Sequence, residues 1–215
     1  MDKYQNRYEA GKVLAKALKA YADRKDVLVL ALPRGGVPVA YEVAKALHVP
    51  MDVFIVRKLG VPEHAELAMG AIASGGMPVF NKDIIYQLHV TQEEIDAVIA
   101  KETQELKRRE VAYRGHQPFP DIHGKTIILV DDGIATGATM RAAIKALREL
   151  KAGSIIVAVP VADKQLSEKM AESVELLICP LRPLHFYAVG AWYDDFSQTE
   201  DEEVYTLLKE LRKSS

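Results

Sequence analysis

The chain has 215 residues, with 28 Lys and Arg against 30 Asp and Glu, for a net charge of −2. That length suits one α/β domain with a small cap. The near balance of charge, with no basic stripe interleaved with aromatics, excludes nucleic acid as an expected partner. A lone cysteine, Cys179, excludes an intramolecular disulfide, and no apolar run has the length of a membrane span or the form of a signal peptide. The expectation is a soluble cytoplasmic protein with no membrane partner.

Taken in chain order, residues 8–21 carry Leu14, Ala17, Leu18 and Tyr21 at helical spacing. Residues 27–32 form a compact apolar run, read as a buried strand and broken by Pro33-Arg34-Gly35-Gly36. A helix is expected over 37–47, with Pro38 tolerated in its first turn, and a strand over 51–56. Residues 57–67 are polar and contain Gly60 and Pro62, which predicts a mobile loop. Two short apolar segments around Gly75-Gly76 predict a hairpin within 69–80. Thr91-Gln92-Glu93-Glu94 is a capping box opening a long charged helix to about Tyr113, whose charges describe a solvated face. After a further apolar run at 127–130, a helix over 140–150 is expected to stop near Gly153. Residues 154–161 and 174–179 read as two more strands, the second holding Cys179 as a core residue rather than a nucleophile. Thr199-Glu200-Asp201-Glu202 reads as a second capping box before a last helix. Strands alternating with helices predict a doubly wound α/β sheet, mainly parallel, with helices on both faces.

One stretch carries the chemistry: Ile127-Ile128-Leu129-Val130-Asp131-Asp132-Gly133-Ile134-Ala135-Thr136-Gly137-Ala138-Thr139. The apolar run reads as a strand buried on both faces of a parallel sheet. The two carboxylates stand at its carboxyl end, where open α/β sheets bind ligands. Ala135, Thr136, Gly137, Ala138 and Thr139 can curl backbone N–H groups around an anion. The two threonine hydroxyls and the next helix N-terminus add donors and a favourable dipole. Phosphate in the loop and a sugar diol on the carboxylates describe a site for a ribose phosphate.

This stretch resembles the phosphoribosyl-diphosphate (PRPP) motif of the type I phosphoribosyltransferases: four apolar residues, two acids, a variable pair, then small-Thr-Gly-small-Thr. Every position fits. The resemblance covers roughly 27–196. It implies a single phosphoribosyltransferase domain over 1–215, with a core at about 8–179, a small C-terminal hood at about 180–198 and a C-terminal helix at 200–212. It further implies that Pro33, Arg34, Gly35 and Gly36 form a pyrophosphate loop, often with a strained or cis peptide in this family. Arg57 and Lys58 are placed like the basic residues that hold pyrophosphate. The segment 59–67, with Glu63, His64 and Glu66, is similar to the flexible loop that closes over the reaction.

The run from Phe186 to Phe196 resembles the hood of hypoxanthine-type purine enzymes. Carried over, Tyr187 stacks on the base, Ala188 offers backbone groups and Asp194 helps bind a metal. Lys164 stands where a base-reading lysine would, and equally reads as a surface residue. Ala135 departs from the hypoxanthine type, which has an Asp there, and matches the adenine type; alanine does no acid–base chemistry. The acceptor base stays open, with purine favoured, and so does membership of a branch of unassigned substrate. The resemblance implies transfer of ribose 5-phosphate from PRPP to a nitrogen of a small heterocyclic acceptor, with release of pyrophosphate. Asp131, Asp132, Arg34, Arg57 and Lys58 would be the catalytic set. Magnesium would arrive with PRPP. The alternative is a regulator that keeps the PRPP site as a nucleotide-pool sensor without chemistry; a homodimer is one assembly left open.

Overall fold

The computed structural model describes residues 3–214. An N-terminal helix, α1 (Arg7–Ala17), starts at Asn6, whose side chain accepts the Glu9 N–H as an N-cap. It leads to β1 (Val27–Ala31), α2 (Gly36–Leu47) and β2 (Met51–Val53). A second group follows: β3 (Val56–Val61), β4 (His64–Ala73), β5 (Pro78–Phe80), a short α3 (Lys82–Gln87) and the long α4 (Gln92–Arg114). The chain then returns through β6 (Thr126–Val130), α5 (Ala138–Glu149), β7 (Ser154–Ala158), α6 (Lys164–Ala171) and β8 (Leu176–Ile178), ending in α7 (Asp201–Lys213).

The main sheet has the order β2-β1-β6-β7-β8, and every pairing in it is parallel. Strand side chains alternate between two faces. Val27, Val29 and Ala31 of β1 join Ile128 and Val130 of β6 in a core with residues of α1, α2, α4 and α7. Leu28 and Leu30 join Ile127 and Leu129 in an opposite core with Met140, Ala143, Ile144 and Leu147 of α5 and Met170 of α6. Each such large aliphatic side chain contributes about 1.5–3 kcal/mol by leaving water. The apolar runs have no polar alternation because both faces are covered, and the expected doubly wound α/β architecture is present. α7 buries Val204, Leu207 and Leu208 in the first core.

Several local readings change. Residues 57–67, expected as a loop, are the paired arms of an antiparallel hairpin between β3 and β4, joined in turn to β5. Gly60 lies at a register irregularity and Glu63, with φ 65°, in the turn. The breakers Gly60 and Pro62 are therefore accommodated inside a hairpin. The β4–β5 hairpin around Gly75-Gly76 stands as expected. The Thr91 capping box is formed in full, whereas the one at Thr199 is not: Glu200 is the N-cap of α7 and makes no side-chain cap bond. α5 ends with Leu150 as its cap, short of Gly153. The helices α3 and α6 had no counterpart in the sequence reading; Asn81 and Asp163 cap them.

Tertiary contacts explain α4. Arg114, buried at its C-terminal end, donates from Nε to Asp52 Oδ1 at 3.1 Å and from Nη2 to the Val53 carbonyl at 3.0 Å. The helix is thereby fixed to the end of β2, with a buried charge set against an opposite one.

Chain order sets where a ligand can sit. From β1 the chain moves outward to β2, and on the other side the sheet runs through β6, β7 and β8. The strands β1 and β6 therefore flank the switch point, the place where open α/β sheets bind ligands at the carboxyl ends of their strands. The two loops leaving those ends are 32–36 and 131–137.

Candidate active site

Asp131 and Asp132 follow β6 directly and are part-buried. The Asp132 N–H donates to Asp131 Oδ1 at 2.8 Å, which turns the first carboxylate back over the chain. The loop then climbs to Gly137, which has φ 79° and serves as N-cap of α5. That left-handed backbone favours glycine. No side chain caps α5 and its first turn holds no acid. Its first turn therefore offers backbone N–H groups and the positive end of its dipole, an arrangement that could hold an anion. Ala135, Thr136, Ala138 and Thr139 around it are exposed. Thr136 Oγ1 accepts a long 3.4 Å bond from the Ala138 N–H.

The loop after β1 lies against this pair. The peptide joining Pro33 to Arg34 is cis. A Cβ built on Gly35 would stand 2.1 Å from Asp132 Oδ2, and one on Gly36 would stand 2.8 Å from the Val130 carbonyl. Side chains there would push the two loops apart. Arg34 reaches Asp201 at the start of α7, Nη1 to Oδ1 3.4 Å, with its side chain partly exposed.

Electrostatics concentrate at the acids. Burial lifts the Asp131 carboxyl well above the usual carboxylate range, and the neighbouring Asp132 charge adds to the rise. Burial lifts Asp132 as well, but the Arg7 guanidinium opposes it. Arg7 Nε donates to Asp132 Oδ2 at 3.0 Å.

The β3–β4 hairpin carries the remaining basic residues expected in the site. Arg57 is paired with Glu102 of α4, at 2.7 Å from Nη2, and both are largely buried. Lys58 donates to the Glu66 carbonyl at 2.9 Å. Among the described residues neither is bonded to the Asp131–Asp132 pair or to residues 33–36. His64 is exposed at the hairpin tip, 3.6 Å from Glu66.

The segment after β8 folds over the motif. Val189 packs on Gly133, where an added Cβ would meet Val189 Cγ1 at 2.5 Å. The Tyr193 hydroxyl donates to the Asp132 carbonyl at 2.6 Å. Tyr187 is 87% exposed, the most open of the large apolar side chains described, and Ala188 beside it has extended backbone. Asp194 is exposed, with its N–H bonded to the Tyr4 carbonyl. Lys164 is the exposed first residue of α6. Cys179 is buried, and burial pushes its thiol up to about 11, as suits a core residue.

A phosphoribosyl transferase domain model matches residues 62–179, more than half of the chain and all of the acidic-pair motif. The chain belongs to this family.

Relatives extend the likeness beyond the matched stretch of the phosphoribosyl transferase domain. Two Mycobacterium tuberculosis proteins, from strains CDC 1551 / Oshkosh and ATCC 25618 / H37Rv, carry names that assign them provisionally as phosphoribosyl transferases. Each is 43% identical over 208 residues, 97% of this chain and 47% of theirs. The chain spans about half the length of these curated relatives. The crystal structure of TT1426 from Thermus thermophilus is 37% identical, covers 97% of this chain and 99% of that one, and superimposes with a TM-score of 0.85.

Arg7, Tyr193 and Glu102 carried no signal in the sequence, whereas Arg141 did. Arg7 and Tyr193 reach Asp132 from distant parts of the chain. Glu102 is one charge among many on α4, and only the fold gives it Arg57. Arg141 sits a helical turn past the loop, its Nη1 2.7 Å from the position a Gly137 Cβ would take. Helical side chains lean toward the N-terminus, so this last residue was open to inference from spacing alone.

Among the described residues no group of three or more His, Cys, Asp or Glu side chains is gathered for a metal. The donors present, Asp194 and the acidic pair, are hard oxygens. They fit a magnesium ion that keeps waters and phosphate oxygens as most of its ligands. No helix among the described residues is long and apolar enough to cross a membrane.

Proposed function

We propose that this chain is a PRPP-dependent phosphoribosyltransferase that moves ribose 5-phosphate to a nitrogen of a heterocyclic acceptor, with a purine favoured. One observation carries the reading. The acidic pair, the α5 N-terminus without a side-chain cap and the glycine loop after β1 converge at the β1–β6 switch point. That crevice offers hydroxyl acceptors, phosphate donors and close backbone approach within a single opening.

In this reading the N–H groups from Ala135 to Thr139 hold the 5-phosphate and turn binding into alignment. Asp131 and Asp132 accept the ribose hydroxyls and put negative charge near the anomeric carbon as the bond to pyrophosphate breaks. The new bond forms from the acceptor nitrogen on the opposite face, inverting the configuration. Arg34 supports the departing pyrophosphate, with Arg57 and Lys58 brought in by the hairpin, and such electrostatic help is worth several kcal/mol. Asp194 would help hold magnesium arriving with PRPP, which would supply further neutralisation of the diphosphate. Tyr187 and the Ala188 backbone hold the acceptor. A cytoplasmic location accords with a soluble substrate pair.

A second reading rests on its own observation. Arg34 and Arg57 are both engaged by carboxylates, Asp201 and Glu102, rather than free for a leaving group. A PRPP-binding sensor without turnover would keep them so. Pyrophosphate release from magnesium–PRPP against a panel of purines, pyrimidines and related heterocycles decides between the two. Release dependent on one acceptor establishes the transferase and names its substrate. PRPP binding without release under any acceptor supports the sensor.

A further inference from the structure

The segment before α1 runs along the edge of the site. Tyr4 forms a parallel bridge to Tyr193: its N–H donates to the Trp192 carbonyl at 3.0 Å and its carbonyl accepts the Asp194 N–H at 2.8 Å. The Tyr4 hydroxyl donates to the Pro160 carbonyl at 2.7 Å. Tyr4 and Tyr193 are buried together with Val161. This seam delivers Arg7, the first residue of α1, to the acidic pair. Its guanidinium lies 4.0 Å above the Phe196 ring, and Nη1 donates to the Ser197 carbonyl at 2.6 Å. Nε donates to Asp132 Oδ2. The Arg7 side chain is 11% exposed and that of Asp132 14%. Every one of these contacts to Arg7 except Asp132 itself lies outside the matched stretch 62–179.

We propose that Arg7 is a positioning residue for PRPP, acting through Asp132: it holds Oδ2 and leaves Oδ1 to accept a ribose hydroxyl. This rests on the PRPP reading of the site. The physical case is direct. Asp131 and Asp132 are adjacent carboxylates, and like charges this close repel. A ligand that brings phosphate and diphosphate adds more negative charge. A guanidinium bound to one oxygen removes part of that repulsion and fixes the rotamer, while the planar fork lets the same group bond Ser197 and stack on Phe196. No lysine makes all three contacts at once. Gly35 completes the arrangement, since its missing side chain is what lets Asp132 and Arg7 meet: an added Cβ would be 3.3 Å from Arg7 Nε as well as 2.1 Å from Asp132 Oδ2.

A double-mutant cycle on the full chain tests the proposal, with PRPP affinity measured by calorimetry in the presence of magnesium. Arg7→Ala is expected to weaken PRPP about tenfold when Asp132 is present and by less than about twofold in the Asp132→Asn background, the mark of coupled residues. Arg7→Lys keeps the charge and an aliphatic stem, so it is expected to retain a folded chain and to recover part of the loss. Tyr4→Phe loosens the same seam without touching Asp132; urea unfolding should register it while PRPP affinity stays within about twofold. Equal losses from Arg7→Ala in both backgrounds, no loss at all, or an equal loss from Tyr4→Phe would each overturn the role assigned to Arg7. If the wild-type chain fails to bind PRPP, the functional reading falls, and this inference with it; binding with an uncoupled cycle removes the inference alone.

Discussion

The Cβ that Gly35 lacks would lie 2.1 Å from Asp132 Oδ2. The two residues are close because β1 and β6 are paired in register, Ala31 beside Val130, and the pairing continues one step further as the Leu32 N–H donates to the Val130 carbonyl at 2.9 Å. Gly35→Ala must therefore displace the carboxylate or open the crevice. Overpacking of this kind costs about 1–3 kcal/mol, and PRPP-dependent pyrophosphate release should fall by roughly tenfold or more. Steady-state kinetics with urea unfolding on the same variant checks both; a variant with wild-type turnover would separate this loop from the site.

The acid pair should be essential to chemistry and a burden on stability. Asp131→Asn with Asp132→Asn should abolish turnover with the fold intact by circular dichroism, and full activity in that double variant would sink the site assignment. Asp131→Asn alone tests the electrostatics. Burial raises the Asp131 carboxyl in the folded chain, so the folded state holds that proton more tightly than the unfolded one. Stability then falls as pH climbs from the unfolded carboxylate range, about 3.9, through the raised value. The asparagine variant escapes that loss. Its urea midpoint should exceed wild type at pH 8, and the gap should close toward about pH 4. Equal midpoints at pH 8 would contradict it.

Ala138 is the exposed first residue of α5, in the loop proposed to hold the 5-phosphate. Ala138→Glu sets a carboxylate where the 5-phosphate would rest. The same acid at a helix N-terminus favours the free protein by about 0.3–1 kcal/mol, so the melting temperature should hold or rise while PRPP affinity drops. Calorimetry showing unchanged affinity would count against the loop as a phosphate site.

Tyr187 turns its ring to solvent, and a stacking partner would cover it. Tyr187→Ala should leave the fold unmoved and raise the acceptor's Michaelis constant by about tenfold, consistent with a stacking contact of about 1–3 kcal/mol. The constant for PRPP should change far less. Equal changes in both would place the ring outside the acceptor site.

Glu102 is the α4 residue that pairs with Arg57. Glu102→Ala leaves Arg57, largely buried at β3, without its partner. An orphaned charge of that kind costs about 1–3 kcal/mol, read as a lower urea midpoint. If Arg57 serves pyrophosphate, the freed guanidinium should also lower the Michaelis constant for PRPP; a change in stability with unchanged kinetics would confine Arg57 to a structural role.

What the sequence determined by itself is local and periodic. Residues 127–139 announced a strand, a pair of acids, a loop of small residues and a helix, because each depends on neighbours a few positions away: apolar burial, paired Asp, small residues, Gly137. The capping box at Thr91 was legible for the same reason, while the one at Thr199 was not formed, since a matching pattern does not compel the bond. The hairpin at 57–67 was missed because its breakers are tolerated once β4 supplies a ladder. Only the tertiary structure could bring Arg7 to Asp132, 125 positions along the chain, or set Glu102 against Arg57. Such ion pairs leave no period in the sequence. They exist because packing sets elements distant in the chain side by side: α1 against the loop after β6, and α4 against β3 of the separate antiparallel sheet.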